Sequence, residues 1–383
     1  MNSPFGDISI DTFLREYWQK KPLLIRNAFP DFEAPVSPDE LAGMALEEEV
    51  ESRLIIQSPD GKDWKLQHGP LSEETFSDLP DSHWTLLVQS VDHWVPEANE
   101  LLEYFRFVPN WRLDDLMVSY ATDGGGVGPH YDNYDVFLIQ ASGTRRWEVG
   151  GTYGEDSPRR DDVPVMILPE WTPEQTWDLQ PGDMLYVPPR LGHNGYAIGD
   201  DCMTYSIGFR APSHQEMMAD FTDYLDNITT AEDRYSDPDL KQQDNPGEIT
   251  PAALDRVKAI MHDYIDSPEL LSHWFGQFMT EPKNQEQGAD QSCDMDEAEI
   301  KQLLDAGIPI CRSEGSRFAF NRVDDHFILF VDGKGCVCSA EQIPLAESLC
   351  ANLYHEVISP NEENIELLKA LLLQGSVYFL EEE

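Results

Sequence analysis

The spacing of apolar positions changes along the chain, and each change marks a different kind of element. Residues 10 to 18, Ile-Asp-Thr-Phe-Leu-Arg-Glu-Tyr-Trp, carry apolar side chains at helical intervals, with Asp11 as a candidate cap. Lys21-Pro22 stops that helix, and Leu23-Leu24-Ile25 predicts a strand. Ser37 with Glu40 three positions later is a capping-box signature, so a second helix is expected over 37–50. Short strands are expected over 51–57, 63–67 and 84–91, and a helix over 96–106. The next hundred residues read as extended: strands over 115–121, 134–140, 144–149, 176–187 and 202–210, with a turn at Ser142-Gly143. A stretch rich in Asp, Pro and Arg, 152–172, predicts an excursion loop. At Ala211-Pro212-Ser213 the period becomes helical, through Met217, Phe221 and Leu225, then Leu254, Val257, Met261 and Ile265, then Leu271, Trp274 and Phe278. Between the first two runs, 229–249 is polar and carries Asp-Pro and Asn-Pro turn signals. A polar linker is expected over 281–294. Beyond it come a helix (296–306), strands (308–311, 317–321), a hairpin (326–338) around Asp332-Gly333, and helices (340–356, 362–373), an order compatible with a winged-helix module.

The chemistry concentrates in the extended part. Gly124-Gly125-Gly126-Val127-Gly128-Pro129-His130-Tyr131-Asp132 is a glycine-rich turn that delivers the chain into a strand. His130 and Asp132, two apart, are expected on one face of that strand, with Tyr134 beside them. Downstream, Pro181-Gly182-Asp183 opens a short apolar strand that ends in a proline-rich corner and His193. A lone His-x-Asp is more often a hydrogen-bonded surface pair. Two imidazoles and a carboxylate, however, form a facial triad suited to non-haem Fe(II) and oxygen chemistry. The glycines and the recurring turn look like the two half-motifs of a cupin-type double-stranded β-helix.

Strand alternation adds further candidates. Asp115, Met117 and Ser119 share one face of the strand that runs into the glycine-rich turn, which is either solvated or pocket-lining; the pocket is favoured. Arg145, Trp147 and Val149 share the face of the 144–149 strand that is suited to burial. A buried arginine needs an anion, either a structural carboxylate or a bound organic acid, and beside a metal triad the organic acid is favoured. In the last strand Thr204, Ser206 and Gly208 form a small polar face.

Composition changes this picture in two respects. The 383 residues exceed one typical domain, and the division expected is 1–212, 213–285 and 286–383. The net charge is -46, from 72 acidic and 26 basic residues, which disfavours direct binding to nucleic acid. It fits a basic protein partner or adaptation to a salty or cold habitat. The six cysteines are scattered without a disulfide framework, and Cys336-x-Cys338 lacks the second pair of a zinc ribbon. Asp7 and Asp11 with no apolar run argue against a signal peptide, and no stretch reaches transmembrane length, so a cytoplasmic location is expected. The apolar helices after 213 suit either an oligomer interface or packing onto the barrel.

From Phe13-Leu14 through Lys21-Pro22, the Gly-Gly-Gly-Val-Gly-Pro-His string and the later modules, the chain resembles the JmjC-type Fe(II)- and 2-oxoglutarate-dependent oxygenases, most closely the bacterial ribosomal oxygenases. The resemblance implies an α+β fold: a double-stranded β-helix, a helical dimerisation region and a C-terminal winged-helix-like domain. It implies hydroxylation of an arginine side chain of large-subunit ribosomal protein number sixteen, with O2 and 2-oxoglutarate consumed. His130, Asp132 and His193 would hold Fe(II). Arg145 would clamp the distal carboxylate of 2-oxoglutarate, where many relatives use lysine, and Ser119 would assist. Tyr134 and Met117 would sandwich the target arginine's stem, and Asp115 and Ser206 would take its guanidinium. The rival readings are a JmjC-type histidine hydroxylase or demethylase acting on another protein, a non-catalytic metal-binding cupin, and a winged-helix regulator, for which no basic face is found.

Overall fold

The structure is a computed structural model that describes residues 4–283 and 292–380, so residues 284–291 of the expected linker lie outside the described residues. The chain divides into two compact units, Met1–Ala211 and Pro212–Glu383.

In the first unit, helix α1 (Ile10–Glu16) is capped by Ser9, whose hydroxyl accepts from the Thr12 amide; Asp11 lies inside the first turn, where its charge favours the helix dipole without capping it. Helix α2 (Pro38–Met44) carries the capping box of Ser37 and Glu40 but ends well short of residue 50. The run Glu47-Glu48-Glu49 would place three negative charges at the negative end of a longer helix. A short helix, α3 (Glu73–Ser77), was not anticipated from the sequence, and α4 (Pro96–Leu102) passes into a 3-10 turn over Glu103–Phe105.

Nine strands form a hydrogen-bonded sheet: β1 (Leu23–Ile25), β2 (Ser52–Gln57), β3 (Trp64–His68), β4 (Trp84–Val88), β5 (Leu113–Ala121), β6 (Val136–Thr152), β7 (Gln175–Leu179), β8 (Met184–Val187) and β9 (Leu191–Phe209). Their order is β1-β8-β6-β9-β5-β4-β2-β3, with β7 also paired to β6. The two long strands close the roll. The first half of β6 (136–139) pairs with β8, and its second half (145–149) pairs with β7. The turn expected at Ser142-Gly143 is instead a bulged bend within β6, with register shifts against β9 on both sides of Ser142 and φ +63 at Gly143. The 176–187 run is two strands, parted by the Pro181-Gly182-Asp183 turn, and the last strand begins at Leu191 rather than 202. Residues 131–135 are not strand; β6 starts at Val136, so the ligand-bearing stretch enters the sheet later than its alternation implied. The core beneath is aromatic, built on Phe5, Phe13, Phe105, Phe137, Tyr186 and Phe209, all essentially fully buried.

The second unit opens with three helices, α5 (His214–Ile228), α6 (Pro251–Ile265) and α7 (Pro268–Thr280). A mixed module follows: α8 (Glu297–Asp305), β10 (Ile310–Arg312), the three-stranded meander β11 (Phe318–Val323), β12 (His326–Val331) and β13 (Lys334–Cys338), α9 (Ile343–Ala351), β14 (Tyr354–His355), α10 (Glu362–Gln374) and β15 (Val377–Phe379). The helix expected over 340–356 is shorter because Tyr354 and His355 pair with β10, a tertiary partner that local propensity does not reveal. Ile300, Phe318, Leu329, Leu349, Leu368 and Val377 form the core of this module.

Candidate functional site

Backbone pairing sets the geometry of the triad. His130 and His193 face each other in an isolated antiparallel bridge, with His130 N donating to His193 O at 2.9 Å and His193 N donating to His130 O at 2.8 Å. This brings the two ring centroids to 4.2 Å. Asp132 follows in irregular backbone, and its carbonyl accepts from the Arg190 amide at 2.6 Å. Its carboxylate oxygen lies 3.4 Å from His193 Nε2 and 3.8 Å from His130 Nε2. The three side chains offer one ligand atom each, all within 4.8 Å of one another, and no other such group occurs among the described residues.

The outer contacts orient these atoms. His130 Nδ1 pairs with the Gly128 carbonyl at 2.8 Å, and His193 Nδ1 with the Leu191 carbonyl at 3.0 Å. Each ring therefore carries its proton on Nδ1 and turns Nε2 inward, the arrangement that metal-binding imidazoles adopt. Burial, with the neighbouring His193 and the Arg145 charge, lowers the pKa of His130 to about 4. Burial alone would raise that of Asp132, but the His193 hydrogen bond and the nearby imidazoles hold it at about 2. A neutral imidazole at His130 and a carboxylate anion at Asp132 are protonation states that suit a divalent cation.

Arg145 is the second feature. It is 3 % exposed, and its face of β6 is the buried one, with Trp147 and Val149. Nη2 donates to the Gly195 carbonyl at 3.2 Å, while Nε and Nη1 have no partner. The Trp147 ring lies 5.2 Å from its guanidinium carbon, and the indole nitrogen is likewise buried without a partner. Burial lowers the Arg145 pKa, and the group beside it is the Cys202 thiol rather than a carboxylate. A buried guanidinium with two unused donors fits an anionic ligand. Ser119 is also buried, with its hydroxyl 3.5 Å from the Thr204 carbonyl.

Gly195 supports both groups. A Cβ there would stand 2.6 Å from ring atoms of Trp147. Gly195→Ala is therefore expected to destabilise the unit by about 1–3 kcal/mol through overpacking, read as a lower denaturation midpoint, and to displace the Arg145 anchor.

The remaining candidates gather at the other end of Tyr134. Tyr134 is 42% exposed as a whole; desolvation at its hydroxyl raises its pKa, and the charges of Asp132 and Asp115 raise it further. Asp115 is 4 % exposed, at the bulge between Leu113 and Leu116. Met117 and Ser206 are direct cross-strand partners on β5 and β9. The Asp115–Met117–Ser119 face is thus enclosed rather than solvated. Arg53, Gln89 and Ser90, which contact Asp115 directly or through one another, escaped the sequence reading; the one sign was a polar pair closing the apolar strand Trp84–Val88.

A JmjC-domain model matches residues 100–217, and a ROXA-like winged-helix model matches 259–378. The chain is 40% identical over 308 residues to the ribosomal protein uL16 3-hydroxylase of Escherichia coli K12, covering 80% of each. It is 35% identical over 322 residues to a probable ribosomal oxygenase of Haemophilus influenzae, covering 78% of this chain and 75% of that protein. The solved structure of YcfD, a ribosomal oxygenase from Escherichia coli in complex with cobalt and 2-oxoglutarate, superposes with a TM-score of 0.84 at 34% identity, over 97% of this chain and 98% of that one.

Proposed function

The chain belongs to the JmjC-domain ribosomal oxygenases, and from that premise we propose that it hydroxylates an arginine side chain of ribosomal protein uL16 at the expense of 2-oxoglutarate and O2. The observation that carries the reading is the pairing of a metal-type triad, His130, Asp132 and His193, with a buried Arg145 whose Nε and Nη1 lack partners. The triad would hold Fe(II), for which the cobalt of the related structure is a stand-in. Bound Fe(II) supplies the oxidising chemistry that couples decarboxylation of 2-oxoglutarate to succinate with oxygen insertion at a C–H bond.

The chain's own residues bind and orient. Arg145 takes the distal carboxylate of 2-oxoglutarate through parallel N–H donors, and Ser119, on β5 with β9 between it and β6, assists. Met117 and the Tyr134 ring flank the aliphatic stem of the target arginine. Asp115, with the Ser206 hydroxyl nearby, receives its guanidinium. These contacts would fix the position and orientation of the target side chain beside the triad, and that orientation is what the protein contributes to the rate.

The test is anaerobic reconstitution with Fe(II), followed by 2-oxoglutarate, oxygen and a uL16 peptide containing the target arginine, with succinate and peptide mass followed together. Succinate with one oxygen gained on the arginine supports the whole assignment. Succinate with the oxygen on a histidine, or with loss of a methyl group from lysine, would move the target to another residue class. Bound iron without succinate would leave a non-catalytic cupin.

We also infer a homodimer. Helix α6 has no buried residue, yet Leu254, Val257, Met261 and Ile265 recur on it at helical spacing and are 58%, 41%, 62% and 43% exposed. A second copy of the chain, bringing the same stripe, would cover it. Leu254→Asp combined with Met261→Asp is expected to halve the particle mass in sedimentation equilibrium; an unchanged mass would place any self-association elsewhere. No helix among the described residues is long and apolar enough to cross a membrane, and a cytoplasmic location follows from the proposed ribosomal target.

A further inference from the structure

The Asp115 carboxylate is fixed by specific donors as well as by burial. Its Oδ2 accepts from Gln89 Nε2 at 3.1 Å, from the Ser90 amide at 3.0 Å and from the Ser90 hydroxyl at 2.9 Å. Gln89 Oε1 in turn accepts from Arg53 Nη2 at 3.1 Å. Ser90 sits in the left-handed region, φ 52 and ψ 41, where non-glycine residues are uncommon. That backbone turn brings its N–H and its hydroxyl to the same oxygen. The second carboxylate oxygen, Oδ1, lies 3.7 Å from where a Cβ on Gly208 would stand. It therefore faces the side of β9 that carries Ser206, since residues two apart on a strand share a face.

The terminal torsion of an aspartate is soft, so nothing in the residue itself holds its carboxylate in one plane. Three donors on a single oxygen do. Arg53 adds direction: with its guanidinium on Oε1, the Gln89 amide must present its NH2 to Asp115, because the flipped amide would set oxygen against oxygen. We propose that Arg53, Gln89 and Ser90 are positioning residues that hold the Asp115 carboxylate in one plane and thereby set the preference for a guanidinium over an ammonium target. The inference rests on Asp115 being the group that receives the target cation. A guanidinium is planar and offers parallel N–H donors, so it gains from a carboxylate of fixed orientation. An ammonium is a compact charge with donors that rotate to suit, and it gains little. Loosening the carboxylate costs arginine binding more than lysine binding.

The experiment measures dissociation constants, by anisotropy and without oxygen, for two labelled peptides that differ only in arginine or lysine at the target position. It uses metal-loaded protein with 2-oxoglutarate, in wild type, Gln89→Leu and Ser90→Gly. Ser90→Gly keeps the left-handed backbone and the amide donor and removes only the hydroxyl, so it remains informative even where Gln89→Leu folds poorly. The arginine-to-lysine preference is expected to fall by roughly tenfold in Gln89→Leu, which removes a donor together with the Arg53 link behind it, and by about threefold in Ser90→Gly, which removes one donor and keeps the amide beside it. In turnover, KM for the arginine peptide should rise more than kcat falls. A wild type that prefers arginine, with folded variants that keep the whole preference, would overturn the positioning role alone. A wild type that binds both peptides equally would overturn the assignment of Asp115, and this inference with it.

Discussion

Asp132→Ala is expected to abolish succinate-coupled hydroxylation while leaving the fold intact. Asp132 is the one anionic group of the triad, and its carboxylate stands within 4 Å of both imidazoles. Without it, a divalent cation would face two neutral nitrogens and keep its full charge in a largely enclosed site. Loss of outer partners alone typically lowers metal affinity by roughly 10–100-fold, and loss of a direct ligand should exceed that range. The backbone bridge between His130 and His193 does not depend on the carboxylate, so the unfolding midpoint should change little. Metal titration and succinate release check the two halves separately. An Asp132→Ala protein with full coupled turnover would mean that the metal is held elsewhere. Asp132→Asn keeps the side-chain volume and removes only the charge; it should fail to turn over in the same way, which assigns the effect to the anion rather than to packing.

Arg145→Met should produce opposite effects on stability and on co-substrate binding. Two charge-assisted hydrogen bonds to a carboxylate, at about 1.5–3 kcal/mol each, correspond to a rise of roughly two to four orders of magnitude in the 2-oxoglutarate requirement. The ligand-free protein gains from the same change. Arg145 is buried with Nε and Nη1 unpartnered, Nη2 donates to a backbone carbonyl, and the group beside it is a thiol rather than a carboxylate. Replacing buried ion pairs by well-packed apolar side chains is neutral or stabilising by about 1–4 kcal/mol, and a buried charge with no anionic partner should gain at least as readily. The melting temperature without ligand should therefore rise, while the shift produced by added 2-oxoglutarate should vanish. A variant that binds 2-oxoglutarate as well as wild type would assign the clamp to another residue. A variant that loses both stability and binding would make Arg145 a structural ion.

Charge sets the wider context for these sites. At -46 the chain repels polyanions, and the proposed target, an arginine on a ribosomal protein, is cationic. The enclosed carboxylate at Asp115 extends that complementarity from the surface into the site.

Several of these features can be read from one dimension. His130, Asp132 and His193 were identifiable because each sits beside turn chemistry, glycines before the first pair and Pro-Gly-Asp before the last, and a turn residue is chosen for local backbone reasons. Arg145 was identifiable because strand alternation is strict: Trp147 and Val149 fix which face is buried, and the arginine shares it. The helix start at Ser37 was likewise local, since the cap and its Glu40 partner are three residues apart. What was misread had non-local causes. Residues 142–143 look like a turn, yet Gly143 is a bulge that lets β6 bend and pair with two different strands. The stretch 131–135 alternates like a strand, but its backbone is tied to Arg190 and Phe209 instead of to a ladder.

The sequence by itself determined the candidate triad, the arginine on a buried face, the order of extended and helical segments, and the net negative charge. These follow from covalent spacing and local propensity. Only the tertiary structure decided that His130 and His193, 63 positions apart by number, meet in a two-bond bridge. It also decided that Gln89, Ser90 and Arg53 converge on Asp115. Those contacts join strands distant in the chain, and register between distant strands is set by burial of the whole sheet at once.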